Sequence, residues 1–220
     1  PSVSAAAYVN SFARSTRSAD GNREEEIGMK KQLNIMIVGV GGQGTLFSSR
    51  LLGRAAIESG YDVKVSEVHG MSQRGGSVVT YVRCADEVAS PIITVGEADI
   101  ILAFEQMEAA RWLPYLKKGG TVIINTQKID CMPVITGAAK YPENIIETIK
   151  GLGVNVIALD ALSIAEELGN AKSVNVVLIG VMARLTDGIS KETWHSAVRA
   201  TSKEKFADVN IKAFEAGYGL

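Results

Sequence analysis

Asn34-Ile35-Met36-Ile37-Val38-Gly39-Val40-Gly41-Gly42-Gln43-Gly44 is the stretch that decides the fold. Ile35–Val38 is an unbroken apolar run, the pattern of a strand buried on both faces. It ends on glycines at positions 39, 41 and 44, which allow a tight turn and a close backbone approach. From Gln43 to Ser59 the apolar residues Leu46, Phe47, Leu51, Leu52, Ala55 and Ala56 recur at helical spacing, and Gly60 closes the run. A buried strand, a glycine turn and a helix form the opening unit of a parallel α/β sheet.

The rest of the chain continues that pattern. Val63–Val65, Val78–Val82, Asp99–Phe104, Thr121–Ile124 and Val154–Leu159 read as further strands, with a helix over Glu105–Leu116 and a turn at Gly119-Gly120. Beyond Asp160 the sequence is helical. Asp160 is placed to cap Ala161–Leu168 and Ser173 to cap the strongly apolar Val174–Leu185, with Thr193–Ala200 and Lys203–Ala216 following. The expected architecture is α/β: a Rossmann-like, doubly wound, mostly parallel sheet with a helical C-terminal layer.

Residues 1–28 differ from the remainder. They are rich in Ser, Ala and Arg, carry no acid before Asp20, and end in Arg23-Glu24-Glu25-Glu26. A disordered or extraneous N-terminal segment is the expectation, with a transit-like leader as the alternative. Residues 29–220 are expected to form a single domain, since neither an internal repeat nor an interior linker is visible.

Composition narrows the function. A net charge of -1 over 220 residues gives no reason to expect a nucleic-acid or polybasic membrane partner. No apolar run approaches the roughly 20 residues that span a bilayer. There are two cysteines, Cys84 and Cys131, which fits a reducing cytoplasm and reads as two buried small hydrophobes. A four-iron cluster needs four thiolates, and the two histidines, His69 and His195, lie near neither cysteine, so no metal site is expected on this chain.

Two motifs carry the chemistry. Gly39-x-Gly41-x-x-Gly44 has dinucleotide-fingerprint spacing between strand and helix, with Gly42 and Gln43 inside it, and Glu67 ends the next strand where an acid would meet a ribose hydroxyl. An NAD(P)- or flavin-dependent enzyme is one hypothesis those facts support. Glycines that only permit close packing, or that bind another anion, remain alternatives. The second motif is Glu67-Val68-His69-Gly70-Met71-Ser72-Gln73-Arg74-Gly75-Gly76. It has neither helical nor strand period and concentrates donors, which suits a cofactor, anion or partner surface. His69 is a candidate acid–base or phosphate donor, or an ordinary loop histidine. Arg74 is a candidate anion clamp, or a solvated or interface arginine. Ser72 and Gln73 are candidate donors, and Gly75-Gly76 turns the chain while leaving room for a ligand. Glu105 and Asn125 lie at strand C-termini, the edge where ligands gather. Met107 and Trp112 read as packing residues.

Gly-Val-Gly-Gly-Gln-Gly from Gly39, the ten residues from Glu67 and Ser90-Pro91 together resemble the gamma-type subunit or domain of 2-oxoacid:ferredoxin oxidoreductases, and within them the beta-subunit type of the indolepyruvate branch. Leu113–Gly120 and the ending Ala213-Phe214-Glu215-Ala216-Gly217-Tyr218 carry the same likeness, which runs from about Leu33 to Gly219. The resemblance implies oxidative decarboxylation of a 2-oxoacid on thiamine diphosphate, electron transfer through iron–sulfur clusters to ferredoxin, and acyl transfer to coenzyme A. It implies that this chain alone holds none of those groups. A larger alpha subunit would carry thiamine diphosphate and the clusters, in keeping with the missing cysteine array and the missing thiamine diphosphate motif here. By the same resemblance the His69–Gly76 loop faces the cofactor region or the partner, and the glycine turn is inherited architecture rather than an NAD site. A protein of pure assembly, with no part in the chemistry, is the remaining alternative.

Overall fold

A computed structural model describes residues 31–67, 72 and 75–220. β1 (Leu33–Val40) leads through the glycine turn into α1 (Thr45–Glu58), and β2 (Asp62–Glu67) and β3 (Ser77–Ala85) follow. β4 (Ala98–Ala103), α2 (Gln106–Trp112), a 3-10 turn (Leu113–Tyr115) and β5 (Leu116–Asn125) come next. The short helices α3 (Met132–Ile135) and α4 (Ile145–Lys150) precede β6 (Asn155–Leu159). The chain ends with α5 (Ala161–Glu167), a 3-10 turn (Ala171–Ser173), α6 (Val174–Leu185), α7 (Lys191–Thr201) and α8 (Glu204–Tyr218).

The sheet runs in the order β2-β3-β1-β4-β5-β6. β1, β4, β5 and β6 are mutually parallel, while β3 is antiparallel to both of its neighbours. The sheet is therefore mostly parallel, as expected, with one reversed strand that lies between β1 and β2. The unbroken apolar run of β1 follows from cover on both faces. Ile35 and Ile37 pack with Leu51, Val177, Trp194 and Phe214 on the side of the C-terminal helices. Met36 and Val38 pack with Ala109, Leu113 and Ile149 on the other. Alternate residues meet opposite layers, so neither set is free to be polar.

Four local expectations need correction. The helix expected over Glu105–Leu116 stops at Trp112, because Pro114 diverts the chain into a 3-10 turn. β5 then begins at Leu116, before the Gly119-Gly120 pair, which lies inside the strand at a register shift. Gly120 passes so close to β4 that a Cβ would sit 2.9 Å from the Asp99 carbonyl oxygen. Ser173 does not cap α6, because its 3-10 turn runs straight into the helix and its hydroxyl donates to Asn210 Oδ1 at 2.8 Å. Asp160 does cap α5, accepting from Ser163 N at 3.0 Å. Cys84 is buried, and burial pushes its thiol up to about 12, but Cys131 is only half-buried at the start of α3.

The helical layer depends on one close approach. At Gly217 in α8 a Cβ would overlap the Val177 carbonyl oxygen of α6 and lie 3.1 Å from Val181 N. Helix propensity favours alanine over glycine by about 1 kcal/mol, but overpacking backbone against backbone costs about 1–3 kcal/mol or more. Gly217→Ala is expected to destabilise the protein in chemical denaturation. Gly53→Ala in α1 is expected to stabilise it by about 0.5–1 kcal/mol, because there a Cβ would meet only Val63 Cγ1, at 3.9 Å.

Candidate functional site

The glycine turn sits at the C-terminal end of β1, between β3 on one side and β4 on the other. Its interior is filled by its own glutamine. Gln43 Oε1 accepts from Val40 N at 2.7 Å, and Gln43 Nε2 donates to the Phe104 carbonyl at 3.0 Å. Gly39 is required by this plug, since a Cβ would stand 2.8 Å from Gln43 Oε1 and 3.1 Å from Phe104 Cβ. Gly44 has φ 86° and its carbonyl takes a bond from Asn175 Nδ2 at 3.4 Å. A Cβ there would lie 2.5 Å from that nitrogen.

The second motif meets the first. His69, Gln73 and Arg74 lie outside the described residues, but Ser72, Gly75 and Gly76 do not. Gly76 N donates to the Ser72 carbonyl at 2.9 Å, and the Gly76 carbonyl accepts from Gly41 N at 2.9 Å. Ser77, the next residue, donates its hydroxyl to Glu108 Oε2 on α2. The loop is thus tied at its exit to the glycine turn and to α2. A cleft of about 250 Å³ runs beside this junction, lined by Gly41, Gly42, Thr45, Glu67 and Thr80. Another, of about 470 Å³, opens across the edge of β1 and β4, lined by Gly42, Gln43, Phe104, Gln127, Lys172 and Asn175.

Glu105 and Asn125 do reach that edge, but both are consumed by the fold. Asn125 is fully buried, donating to the Phe104 carbonyl at 3.2 Å and accepting from Ala161 N at 3.2 Å. Glu105 caps α2 through Glu108 N at 3.0 Å and accepts from Ile129 N at 3.3 Å and from the Tyr141 hydroxyl. Sequence reading missed Glu108, Gln127, Tyr141 and Asn175. Asn175 left a signal, as a polar residue in the apolar run of α6. The others carried none, because their partners are distant in sequence.

A dinucleotide fits this site poorly. In the fingerprint the acid stands on the strand beside β1, but here β3 intervenes. That places Glu67 two strand spacings away, about 9.5 Å, and its carboxylate already accepts from Ser49 Oγ at 2.6 Å. Within the turn, Val40 N is bonded to Gln43 Oε1 and Gly41 N to the Gly76 carbonyl, so neither amide is open to a pyrophosphate.

Burial pushes the Glu105 carboxyl up, and its hydrogen bonds from Tyr141 and from the Glu108 and Ile129 amides oppose the rise. A folded pKa above the unfolded value makes this group's contribution complete at low pH and progressively lost as pH rises. The Tyr141 bond offsets that loss, because it favours the ionised form. Tyr141→Phe is therefore expected to cost about 1.5–3 kcal/mol at pH 7 and less near pH 4, where the carboxyl is protonated. Denaturation at the two pH values checks this.

Comparison with known proteins agrees with the geometry. The family described as Pyruvate ferredoxin/flavodoxin oxidoreductase matches residues 34–220. The chain is 45% identical over 194 residues to the indolepyruvate oxidoreductase subunit IorB of Thermococcus kodakarensis, covering 85% of this chain and 95% of that one. It is 46% identical to the protein of the same name from Pyrococcus horikoshii, with the same coverage. Among solved structures, the gamma subunit of a keto/oxoacid ferredoxin oxidoreductase from Geobacter sulfurreducens matches with a TM-score of 0.64 and 25% identity, over 85% of this chain and 96% of that one. A glycine turn closed by its own glutamine and bonded to the loop of the second motif is thus, in this chain, the edge of a member of the pyruvate ferredoxin/flavodoxin oxidoreductase family, of its small, gamma-type subunit.

Proposed function

We propose that this chain is the small subunit of an indolepyruvate-type 2-oxoacid:ferredoxin oxidoreductase. The larger partner holds thiamine diphosphate and the iron–sulfur clusters, and the His69–Gly76 loop is presented to the partner's cofactor region. The junction of Gly41 with Gly76 carries the reading: a glycine turn used to hold a loop has its backbone committed to that loop. The names of the relatives, at 45% and 46% identity, support the indolepyruvate branch. Two cysteines in the whole chain are too few for a four-iron cluster, which supports assigning the clusters to the partner. Among the described residues no three His, Cys, Asp or Glu side chains group as metal ligands, and no helix is long and apolar enough to cross a membrane.

The division of labour defines what this chain contributes. Thiamine diphosphate supplies the stabilised carbanion chemistry when bound to the partner. The loop supplies hydrogen-bond donors and the Arg74 cation at the partner's edge, where positioning and water exclusion set the rate of a bound reaction. Ferredoxin takes the electrons and coenzyme A the acyl group.

Purification from the native host, with mass spectrometry and analysis for iron and thiamine, is expected to return a stoichiometric larger partner carrying both. A lone chain with bound NAD or flavin would contradict the proposal. The isolated chain is expected to show no saturable NAD(P)H or FAD binding in a fluorescence titration. In the assembled complex, Arg74→Ala is expected to lower 2-oxoacid-dependent ferredoxin reduction by about 100-fold with the subunits still associated. Loss of the complex instead would make the loop an interface element, and no effect on either would remove its assigned role.

A further inference from the structure

We propose that the outer edge of β2, together with the face of α1 above it, receives an extended segment of the larger partner subunit as an added strand, an inference that rests on the partner reading given above. β2 ends the sheet on one side and, among the described residues, pairs with β3 alone. A terminal strand presents a row of unpaired amides and carbonyls, and folds ordinarily blunt such an edge with charge, bulges or cover. Here the pairing runs without a bulge over six residues, and Val65 stands 41% exposed on the strand beside Ile57 of α1 at 62%. β6, at the opposite edge, exposes no large apolar side chain. Between α1 and β2 lies a groove of about 730 Å³, whose lining includes Arg50, Gly53, Ile57, Val63 and Val65. Val63 and Val65 share one face of the strand, so both are turned toward α1.

Two residues of the groove point to an occupant. Gly53 stands inside α1, where only proline is a poorer helix former. Gly180 and Gly217, inside α6 and α8, each lie against backbone of the facing helix, but a Cβ at Gly53 would meet only Val63 Cγ1 at 3.9 Å, an ordinary contact. The missing side chain keeps the floor of the groove low and leaves room for another backbone beside β2. Arg50 is the second. Among the charged residues of the lining, Arg54 pairs with Glu58 at 2.9 Å and Glu67 accepts from Ser49 Oγ at 2.6 Å, while Arg50 has no hydrogen bond or ion pair to a described residue. The segment that fits carries a carboxylate to reach Arg50 and apolar residues at alternate positions to lie over Val63 and Val65. A second copy of this chain supplies that poorly. Paired edge to edge about a two-fold axis, it would present its own Glu58, Asp62 and Glu67, which are already bonded to Arg54, Lys64 and Ser49. The complementary charge then comes from the larger subunit.

The test measures the affinity of the full chain for the larger subunit recovered from the native host. Val65→Glu puts a carboxylate on the groove floor and Gly53→Leu fills it. Each is expected to weaken association by about 10- to 100-fold, while the isolated variants keep the wild-type circular dichroism. Arg50→Ala is expected to weaken it by about 10-fold, and Arg50→Lys, which keeps the charge, by less. In the wild-type complex, amide hydrogen exchange is expected to slow at alternate residues of Asp62–Glu67 relative to the isolated chain, because the outward amides gain partners. Should Gly53→Leu or Val65→Glu fail to fold, Arg50→Ala and the exchange measurement still decide. Wild-type affinity in Val65→Glu and Arg50→Ala, or exchange over β2 unchanged by the partner, would overturn the proposal and leave the partner reading standing. An isolated chain that dimerises and is made monomeric by Val65→Glu would assign the edge to a second copy and overturn it as well. Recovery of no larger subunit would remove the partner reading, and this inference with it.

Discussion

The bond from Gly41 N to the Gly76 carbonyl is the contact on which the site depends. It exists because β3 runs antiparallel between β1 and β2, so the residues entering β3 arrive beside the turn that leaves β1. In a sheet with β2 next to β1, the glycine turn would face open space beside an acid and would suit a pyrophosphate. Inserting one reversed strand moves Glu67 outward and brings a loop end into its place. Gly41 N then bonds protein rather than ligand, and Gln43 Oε1 takes Val40 N. The same glycines serve a different purpose because of the strand beside them, not because of any change in their spacing.

That substitution makes sense of the surrounding polarity. The edge of a doubly wound sheet ordinarily holds polar residues for a ligand. In this chain Glu105, Glu108 and Asn125 are buried there and bonded to main chain, to Tyr141, to Ser77 and to α2. They brace the edge. The polar groups at this edge are spent on holding α2, β3 and the end of β5 together rather than left open to a ligand.

Much of this was legible in the residues. The buried run of β1, the glycine turn, α1 and the capping of α5 by Asp160 follow from local patterns of burial, turn chemistry and capping. The likeness of the ten-residue loop to a known family was also local, and the match over residues 34–220 bears out the family. What sequence reading could not supply was non-local. The reversal of β3 is a pairing choice that leaves no periodic trace. The roles of Glu108 and Tyr141 depend on Ser77 and Glu105, 31 and 36 residues away. Ser173 had the right chemistry for a cap and the wrong backbone for one, and Glu105, read as a possible site acid, proved to be a buried cap. The roles of His69, Gln73 and Arg74 rest on sequence and family, since they lie outside the described residues.

The most direct test of the central claim is a cryo-electron microscopy map of the complete complex, purified with its larger subunit and thiamine diphosphate bound. The account predicts the 68–76 loop packed against the partner near that cofactor, with Gly41 bonded to Gly76 and the glycine turn closed around Gln43. A map with the loop facing solvent away from the partner, or with a nucleotide lying in the glycine turn, would contradict it.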